Sequence, residues 1–232
     1  MKKILITMTL WTSILAFFGC NSNNNTSKSN TENGKVEMMN PNDILMSIST
    51  IESTLPGTNE QPKDSLDLEI LEDDWRQFEF INTKYKNSID KEIDSINMII
   101  ENESVDLGEN MTAFKNLHVR KLIPNPLDEG IAIEDLKNAF SSFQTGSLSF
   151  DQYGRVINGI YFDISGFHLY GLTNNSKVTA LGFYGLSSWE NLETFKNEMK
   201  AFMDKYNVVL VNWRSMMVID SNGIDDYLKP NE

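Results

Sequence analysis

Residues 160–186 read IYFDISGFHLYGLTNNSKVTALGFYGL. Apolar and polar residues alternate over the first six positions, and two further β-rich runs follow at 167–172 and 178–186. Such alternation predicts strands that are buried on one face. The breaks between the runs are short and polar, and connections of hairpin length join neighbouring strands in antiparallel fashion. Before it, Leu148 and Phe150 alternate with serines, and a turn at Tyr153-Gly154 or Asn158-Gly159 joins them to the next strand. The region from Gly146 to Leu186 therefore predicts an antiparallel β-meander of three or four strands.

Helical patterns precede the meander. Apolar residues recur at spacings of three and four from Trp75 to Ile100, which predicts one amphipathic helix over residues 74–101. Shorter elements are predicted around it. They are a helix at 43–52, a weak strand at 113–123 and a helix at 134–143.

Another helix is predicted directly after the meander. Ser187 and Glu190 have the spacing of a capping box, in which each side chain bonds a backbone N–H at the start of a helix. The apolar stripe that follows begins at Leu192 and predicts a helix ending at Asn207.

The last predicted element is a strand. Residues 208–213 form a short apolar run typical of a buried strand, and residues 216–219 extend it past a bend. Together these elements predict an α+β fold. In that fold a long N-terminal helix and a C-terminal helix-strand unit pack on the antiparallel meander.

The first twenty residues have the layout of a secretory signal. Lys2 and Lys3 precede the apolar run 4–19, which ends at Cys20, the only cysteine of the 232 residues. The run contains three threonines and a serine and is shorter than the ~20 apolar residues that a membrane-spanning helix needs. With the small Gly19 directly before the cysteine, the segment resembles the lipobox of bacterial lipoproteins.

The resemblance implies that the Cys20 thiol takes diacylglycerol and becomes the first residue of a lipid-anchored chain, whose partner is then the membrane. Asn21 is similar to the pattern of lipoproteins sent to the outer membrane. We therefore expect the bacterial cell envelope, outside the cytoplasm, and the outer rather than the inner membrane. The alternative is an ordinary secretory peptide or N-terminal anchor with an incidental cysteine.

Composition divides the chain into four parts. Residues 21–40 are mainly Asn, Ser and Thr with few apolar groups, which is typical of a flexible tether. The predicted parts are a signal peptide at 1–19, a lipid-attached cysteine and tether at 20–63, a single α+β domain at 64–220 and a polar tail at 221–232.

The chain is strongly acidic. Its formal net charge is −13, and it becomes −15 when residues 1–19, with their two lysines and no acids, are removed. Such a surface repels phosphate backbones, so nucleic acid is excluded as a partner. Basic proteins and cations suit it better.

No known catalytic or metal-binding motif occurs in the sequence. The acidic stretches 60–74 and 90–109 lack the spacing of an EF-hand and are expected to be solvated faces. The two histidines, His118 and His168, lie fifty positions apart, each without a third ligand nearby. We therefore predict no catalytic residue, no metal and no cofactor.

Aromatic residues of the meander are the main candidates for a ligand or partner surface. They either line a pocket in the sheet, because pockets are apolar with a few polar groups, or form its core. The group comprises Phe162, Phe167, Tyr170, Phe183, Tyr184 and Trp189. The candidate surface consists of Phe162, His168, Tyr170, Tyr184, Trp189, Trp213 and Arg214.

Three functional hypotheses follow. The leading one is a non-catalytic, membrane-anchored binding module that meets a protein or small ligand in the envelope. It would be immunity-like if it neutralised a basic protein, because complementary charge speeds such encounters. The alternative is a hydrolase-like enzyme with an unrecognised site in the aromatic pocket. The third is a structural envelope component that self-associates.

Overall fold

Sixteen β-strands, four α-helices and two short 3-10 helices, Glu72–Asp74 and Thr83–Tyr85, make up the regular structure of the described residues. The computed structural model describes residues 45–60, 67–108 and 111–229. The strands are β1 (Thr50–Glu52), β2 (Thr58–Asn59), β3 (Leu68–Ile70), β4 (Phe78–Asn82), β5 (Ser104–Gly108), β6 (Met111–Phe114), β7 (His118–Arg120), β8 (Ile131–Ala132), β9 (Gln144–Gly146), β10 (Leu148–Phe150), β11 (Gly154–Val156), β12 (Gly159–Ile164), β13 (Phe167–Asn174), β14 (Lys177–Leu186), β15 (Val208–Asn212) and β16 (Met217–Ile219). The helices are α1 (Lys86–Glu103), α2 (Ile133–Ala139), α3 (Leu192–Tyr206) and α4 (Ile224–Tyr227).

A large antiparallel sheet organises these elements. Its strand order is β16-β15-β4-β14-β13-β12-β9, and β8 pairs with one end of β14. The predicted meander is confirmed for β12, β13 and β14. Its predicted first strand is not part of it, because Leu148–Phe150 forms β10, which pairs with β3 and β11 in another sheet. Asn175 and Ser176 adopt positive φ angles in the turn between the last two of these strands, as a tight hairpin requires. The predicted α+β class is confirmed as well.

Helices α2, α3 and α4 cover one face of the large sheet. Their apolar stripes meet the inward residues of the strands in one core, where the Phe167 and Phe195 rings stack with centroids 3.7 Å apart. The prediction for α3 is confirmed, including its end. Asn207 follows the helix at φ 51° in the left-handed conformation that commonly stops helices.

The opposite face of the large sheet is divided between two smaller cores. Successive residues of a strand point to opposite faces, so that Phe80 joins the first core while Ile81 lies against α1. Farther along the sheet, Tyr170 of β13 packs against a four-stranded sheet of order β2-β11-β10-β3. The parallel pair β1-β7 and the hairpin β5-β6 complete the described residues.

The prediction of one helix over residues 74–101 is wrong in its first half. Residues Phe78–Asn82 form β4, a central strand between β14 and β15, and α1 begins only at Lys86. The aromatic residues at 75 and 78 fit helical spacing, but pairing with two distant strands decides the conformation. The second half is confirmed, since Ile89 and Ile96 are buried against the sheet.

Elements near the chain ends also differ from prediction. Thr50–Glu52 is a strand where a helix was expected, and β2 lies within the expected loop, so the fold includes residues placed in the tether. Ile224 and Leu228 are buried against the first core, which corrects the prediction of a polar tail from residue 221. Burial of these two apolar side chains holds the C-terminal segment in the fold, although most residues around them are polar.

Two local predictions need correction. The region 113–123 forms two short strands, β6 and β7, instead of one. The capping box does not form, because the Ser187 hydroxyl donates to the Gly166 carbonyl and Asn191 is the residue that precedes α3.

Within the described ranges, none of the helices is long and apolar enough to cross a bilayer. Cys20 and the signal segment lie outside the described residues.

Candidate functional site

The aromatic residues of the meander do not gather in one place. Phe162, Phe167 and Phe183 are buried under α3, whereas Tyr170 is buried on the opposite face of the sheet. Tyr184 and Trp189 are about two-fifths exposed, at 40% and 41%. The interpretation as a shared pocket is therefore corrected, and four of the six side chains are core residues.

His168 lies apart from the other candidates. Its Nδ1 is 2.5 Å from the hydroxyl oxygen of Tyr161 on the neighbouring strand. Burial, and then the charge of Asp163, raises the pKa of Tyr161 to about 12. The other histidine, His118, lies 2.6 Å from a carboxylate oxygen of Glu92. In the part of the chain that the structure describes, no three His, Cys, Asp or Glu side chains are grouped to hold a metal ion.

Three predicted residues converge on the segment that leads into β4. The Tyr170 hydroxyl accepts a 2.7 Å hydrogen bond from the backbone N–H of Arg76. Trp213 Nε1 donates to Glu79 Oε1 at 2.8 Å, and Arg214 forms an ion pair with Asp74. The segment 74–79 is therefore the centre of the candidate site.

A buried ionic cluster lies at this centre, formed by Glu52, Arg76, Glu79 and Arg120. Arg76 Nε is 2.5 Å from Glu79 Oε2, and Arg76 Nη1 is 3.3 Å from Glu52 Oε2. All four residues are less than a tenth exposed, with Arg120 at 1%. Buried charges need partners, and here two guanidinium groups face two carboxylates.

Neutral groups hold Arg120 in the cluster. Its Nη1 donates to Thr50 Oγ1 at 3.1 Å, its Nη2 donates to the Arg76 carbonyl at 3.0 Å, and its guanidinium lies 5.0 Å from the Trp213 ring centroid. Burial lowers the pKa of Arg120 to about 10, against the opposing charges of the two glutamates. For Arg76, burial also lowers the pKa, but the charges of Glu79 and Glu52 more than offset it, so its pKa is raised.

Arg76 itself has an unusual backbone. Its φ of 53° lies in the left-handed region, which costs an ordinary residue of the order of 1–3 kcal/mol. This conformation turns the chain from the short 3-10 helix Glu72–Asp74 into β4. Tyr170 bonds the N–H of Arg76 and Arg120 bonds its carbonyl, so both backbone groups are satisfied. Strained residues held in this way are typical of functional sites.

A cleft of about 170 Å³ lies beside the cluster, and we call it the Arg76 cleft. Its walls are mainly apolar, while Arg76 contributes a charged group. The lining residues are Thr54, Leu55, Pro56, Trp75, Arg76, Leu122, Ile123, Pro124, Pro126, Leu172, Thr179 and Ala180. Leu55 and Leu122 are 44% and 45% exposed, so the rim presents apolar surface to solvent.

The charged members of this site are not predicted by the sequence. Glu52, Arg76, Glu79 and Arg120 are scattered along the chain and meet only through the pairing of β1 with β7 and the position of β4. One signal was present over four residues: the polar Gln77 and Glu79 alternate with Phe78 and Phe80 in the period of a strand.

Replacing Tyr170 by phenylalanine is expected to lower the free energy of unfolding by about 1–3 kcal/mol at neutral pH. The substitution leaves the buried N–H of Arg76 without its acceptor, and an unpaired buried donor destabilises by roughly that amount. Chemical denaturation followed by tryptophan fluorescence measures it. A change within error would show that the hydroxyl does not support Arg76.

The same variant also tests a pH effect. Burial raises the pKa of Tyr170 above its ordinary value of 10.0. Above about pH 10 the unfolded state loses this proton while the folded state keeps it, so stability falls as pH rises. Between about pH 9 and about pH 11, the wild type should lose about 1 kcal/mol more than Tyr170→Phe. Equal losses in the two proteins would contradict the assignment.

No protein-family model, curated protein or solved structure matches this chain. Function is therefore inferred from the site itself.

Proposed function

We propose that the protein is a non-catalytic binding module, held in the bacterial envelope by a lipid on Cys20, and that the Arg76 cleft is its binding site. The signal-like segment 1–20 supports the location. The observation that carries the binding site is the rim, because Leu55 and Leu122 expose apolar side chains beside a concave apolar surface. Surfaces of this kind are typical of ligand and partner sites.

The bonding of the cluster favours binding over proton transfer. A general base needs a free oxygen within reach of its substrate. Both oxygens of Glu79 are engaged, one by Trp213 and one by Arg76. Both oxygens of Glu52 are engaged as well, one by Ser53 and one by Arg76. The carboxylates therefore serve as a rigid support beside the cleft.

The hydrolase-like alternative receives no comparable support. It depends on a pocket lined by the meander aromatics, but Phe162 and Tyr170 are buried in separate cores on opposite faces of the sheet.

The negative net charge of the chain favours a partner that carries basic residues. The cleft walls are mainly apolar, while the chain as a whole carries a formal charge of −13. An apolar segment flanked by lysine or arginine would suit both features, because opposite charge speeds the encounter and apolar contact retains the partner. The immunity-like role towards a basic protein is one form of this proposal.

Replacing Leu122 by aspartate is expected to weaken partner capture at least about 10-fold. The change places a charge on the apolar rim, and a lost contact of roughly 1.4 kcal/mol already gives that factor. Detergent-solubilised envelope of the cells that make the protein would be passed over immobilised wild type and variant, and the bound proteins quantified by mass spectrometry.

The matched control is Val119→Asp. Val119 is 50% exposed, is close in sequence to Leu122 and does not line the cleft. Capture should survive in this control and weaken as salt is raised from about 50 mM to about 500 mM, because salt screens exposed charges. Capture retained by Leu122→Asp, or no specific partner of the wild type, would refute the proposed site.

A further inference from the structure

A row of three residues crosses the meander, and we call it the His168 row. Asp163 of β12, His168 of β13 and Gly185 of β14 lie opposite one another in the strand pairing. Opposite residues of antiparallel strands share one face of the sheet. The neighbouring Phe162 and Phe167 are buried under α3, so the row lies on the other face. All three residues of the row are partly exposed to solvent.

Two side chains of the row present hydrogen-bonding atoms to solvent. Nδ1 of His168 is 2.5 Å from the Tyr161 hydroxyl oxygen, and this contact fixes the orientation of the imidazole. Nε2 has no hydrogen-bond partner among the described residues and is not one of their buried unpaired atoms. One carboxylate oxygen of Asp163 accepts from the Gly166 N–H at 2.9 Å, which leaves the other oxygen for a ligand.

The third member of the row leaves space for a ligand. No atom lies within 4 Å of a Cβ built on Gly185. The pairing of β13 with β14 shifts register between His168 and Leu169, which makes Tyr184 the extra residue of a β-bulge beside Gly185. Bulges of this kind are common next to functional sites, and a glycine within a strand often marks the close approach of another molecule.

Tyr184 adds an aromatic ring on the same face as the row. The side chain is 40% exposed. Burial, and then the charge of Asp74, raises the pKa of Tyr184. Asp74 lies on the face of Tyr170, whose hydroxyl donates to the Asp74 carbonyl, and Tyr170 is two positions from His168 in β13. The Tyr184 ring is therefore available to pack against a molecule that covers Gly185.

Width and charge decide the class of ligand. Neighbouring strands are ~4.8 Å apart, so a row that crosses three strands is about 10 Å wide. A single ammonium or carboxylate group is smaller than this, whereas two linked sugar rings match it. The Asp163 carboxylate on an already acidic protein disfavours an anion. Sugar hydroxyls both donate and accept hydrogen bonds, as the carboxylate and His168 Nε2 require, and the less polar face of a sugar ring suits an aromatic side chain.

We propose that this face of the meander binds a neutral carbohydrate of at least two linked sugar rings. One hydroxyl donates to the Asp163 carboxylate, a second bonds Nε2 of His168, and one ring covers Gly185. None of these residues lines the Arg76 cleft. The inference therefore goes beyond the proposed function and does not depend on it.

Three neutral disaccharides test the ligand class: cellobiose, maltose and N,N′-diacetylchitobiose. Each would be titrated into the ¹⁵N-labelled full-length protein, with the backbone amide signals of Asp163, His168 and Gly185 followed by NMR. We expect saturable shifts of these signals with at least one of the three. The monosaccharide of that sugar should bind at least about 10-fold more weakly, because it reaches only part of the row.

Two charged disaccharides serve as comparisons. Digalacturonate carries carboxylates and chitobiose carries amino groups. Digalacturonate should bind at least about 10-fold more weakly than the neutral sugar, because its charge lies beside Asp163. If chitobiose binds while no neutral disaccharide does, the row is a cation site and the inference is wrong.

Variants connect the sugar to the row. Gly185→Leu should abolish the shifts at Asp163 and His168, because the leucine side chain enters the space above the row. Val119→Leu adds the same side chain at a position of β7 that is 50% exposed, and it should bind as the wild type does. His168→Phe keeps an aromatic ring but removes both nitrogens, and it should weaken binding at least about 10-fold.

Thermal unfolding of each variant would verify that it is folded. Normal sugar binding by a folded Gly185→Leu variant would overturn the inference, and so would the absence of saturable shifts with all three neutral disaccharides. Capture of the envelope partner is a separate measurement. A Gly185→Leu variant that loses the sugar but captures the partner would show that the two sites are independent.

Discussion

Replacing Glu79 by glutamine is expected to lower the free energy of unfolding by about 3–5 kcal/mol. The substitution keeps the shape of the side chain but removes one of the two negative charges that balance Arg76 and Arg120. Removing one partner from a buried ion pair leaves a charge in a poorly polarisable interior, and that penalty is of this order. Urea denaturation at neutral pH, followed by tryptophan fluorescence, measures the change.

The matched control is the exposed ion pair of α1. Lys86 Nζ lies 3.2 Å from a carboxylate oxygen of Asp90, four residues on, with both side chains largely in solvent. Exposed helical pairs contribute about 0.3–0.5 kcal/mol, so Lys86→Gln should change stability by no more than that. If Glu79→Gln were as mild as the control, the cluster would not be a buried network of mutually dependent charges.

Replacing Gly182 by alanine is expected to destabilise the fold by about 3 kcal/mol. A Cβ at this position of β14 would lie 2.4 Å from Tyr170 Cζ and 2.7 Å from its hydroxyl oxygen. The Tyr170 ring crosses the strand where glycine leaves room, and this route brings its hydroxyl to the N–H of Arg76. Overpacking of a core commonly destabilises by about 1–3 kcal/mol, and loss of the buried hydrogen bond adds to it.

Gly185 of the same strand offers the control. No atom lies within 4 Å of a Cβ built there, so Gly185→Ala should stay within about 0.5 kcal/mol of the wild type. Thermal unfolding of the two alanine variants, measured side by side, tests the difference. Similar melting temperatures would mean that the Tyr170 ring moves aside easily and that its hydrogen bond to Arg76 contributes little.

The sequence predicts the strands and helices whose conformation is determined by residues close together in the chain. The strands β12, β13 and β14 follow from alternation and short polar turns, and α3 follows from an apolar stripe that ends at Asn207. In each case the residues that determine the element are its own neighbours in the chain. The α+β class could be predicted for the same reason.

Strands that depend on pairing with residues far along the chain are not predicted. β4 is a strand because Phe80 pairs opposite Leu210, far along the chain, and its short apolar run fits either period when viewed alone. The parallel pairs β1-β7 and β3-β10 likewise join residues far apart in sequence. No local pattern marks such a pairing.

The candidate site was predicted only in part for the same reason. Tyr170, Trp213 and Arg214 were identified from their residue types, and each contacts the segment 74–79. Their partners are not predicted, because Arg76 and Glu79 lie in the predicted helix 74–101 and Glu52 lies before the predicted domain. The buried salt bridge between Glu52 and Arg76 can be recognised only when the positions of β1 and β4 in the fold are known.

The position of Glu52 has a mechanical consequence. β1 is the first described strand, and beyond its three-residue pairing with β7 it is fixed to the rest of the fold through the Glu52–Arg76 pair and the Gln77–Thr50 hydrogen bond. A pulling force applied from the N-terminal side of β1 would therefore load the bridge between Met46 and Phe114 first and then these contacts, before it reached the large sheet. Strain at Arg76 would then couple tension on the chain to the geometry of the cleft.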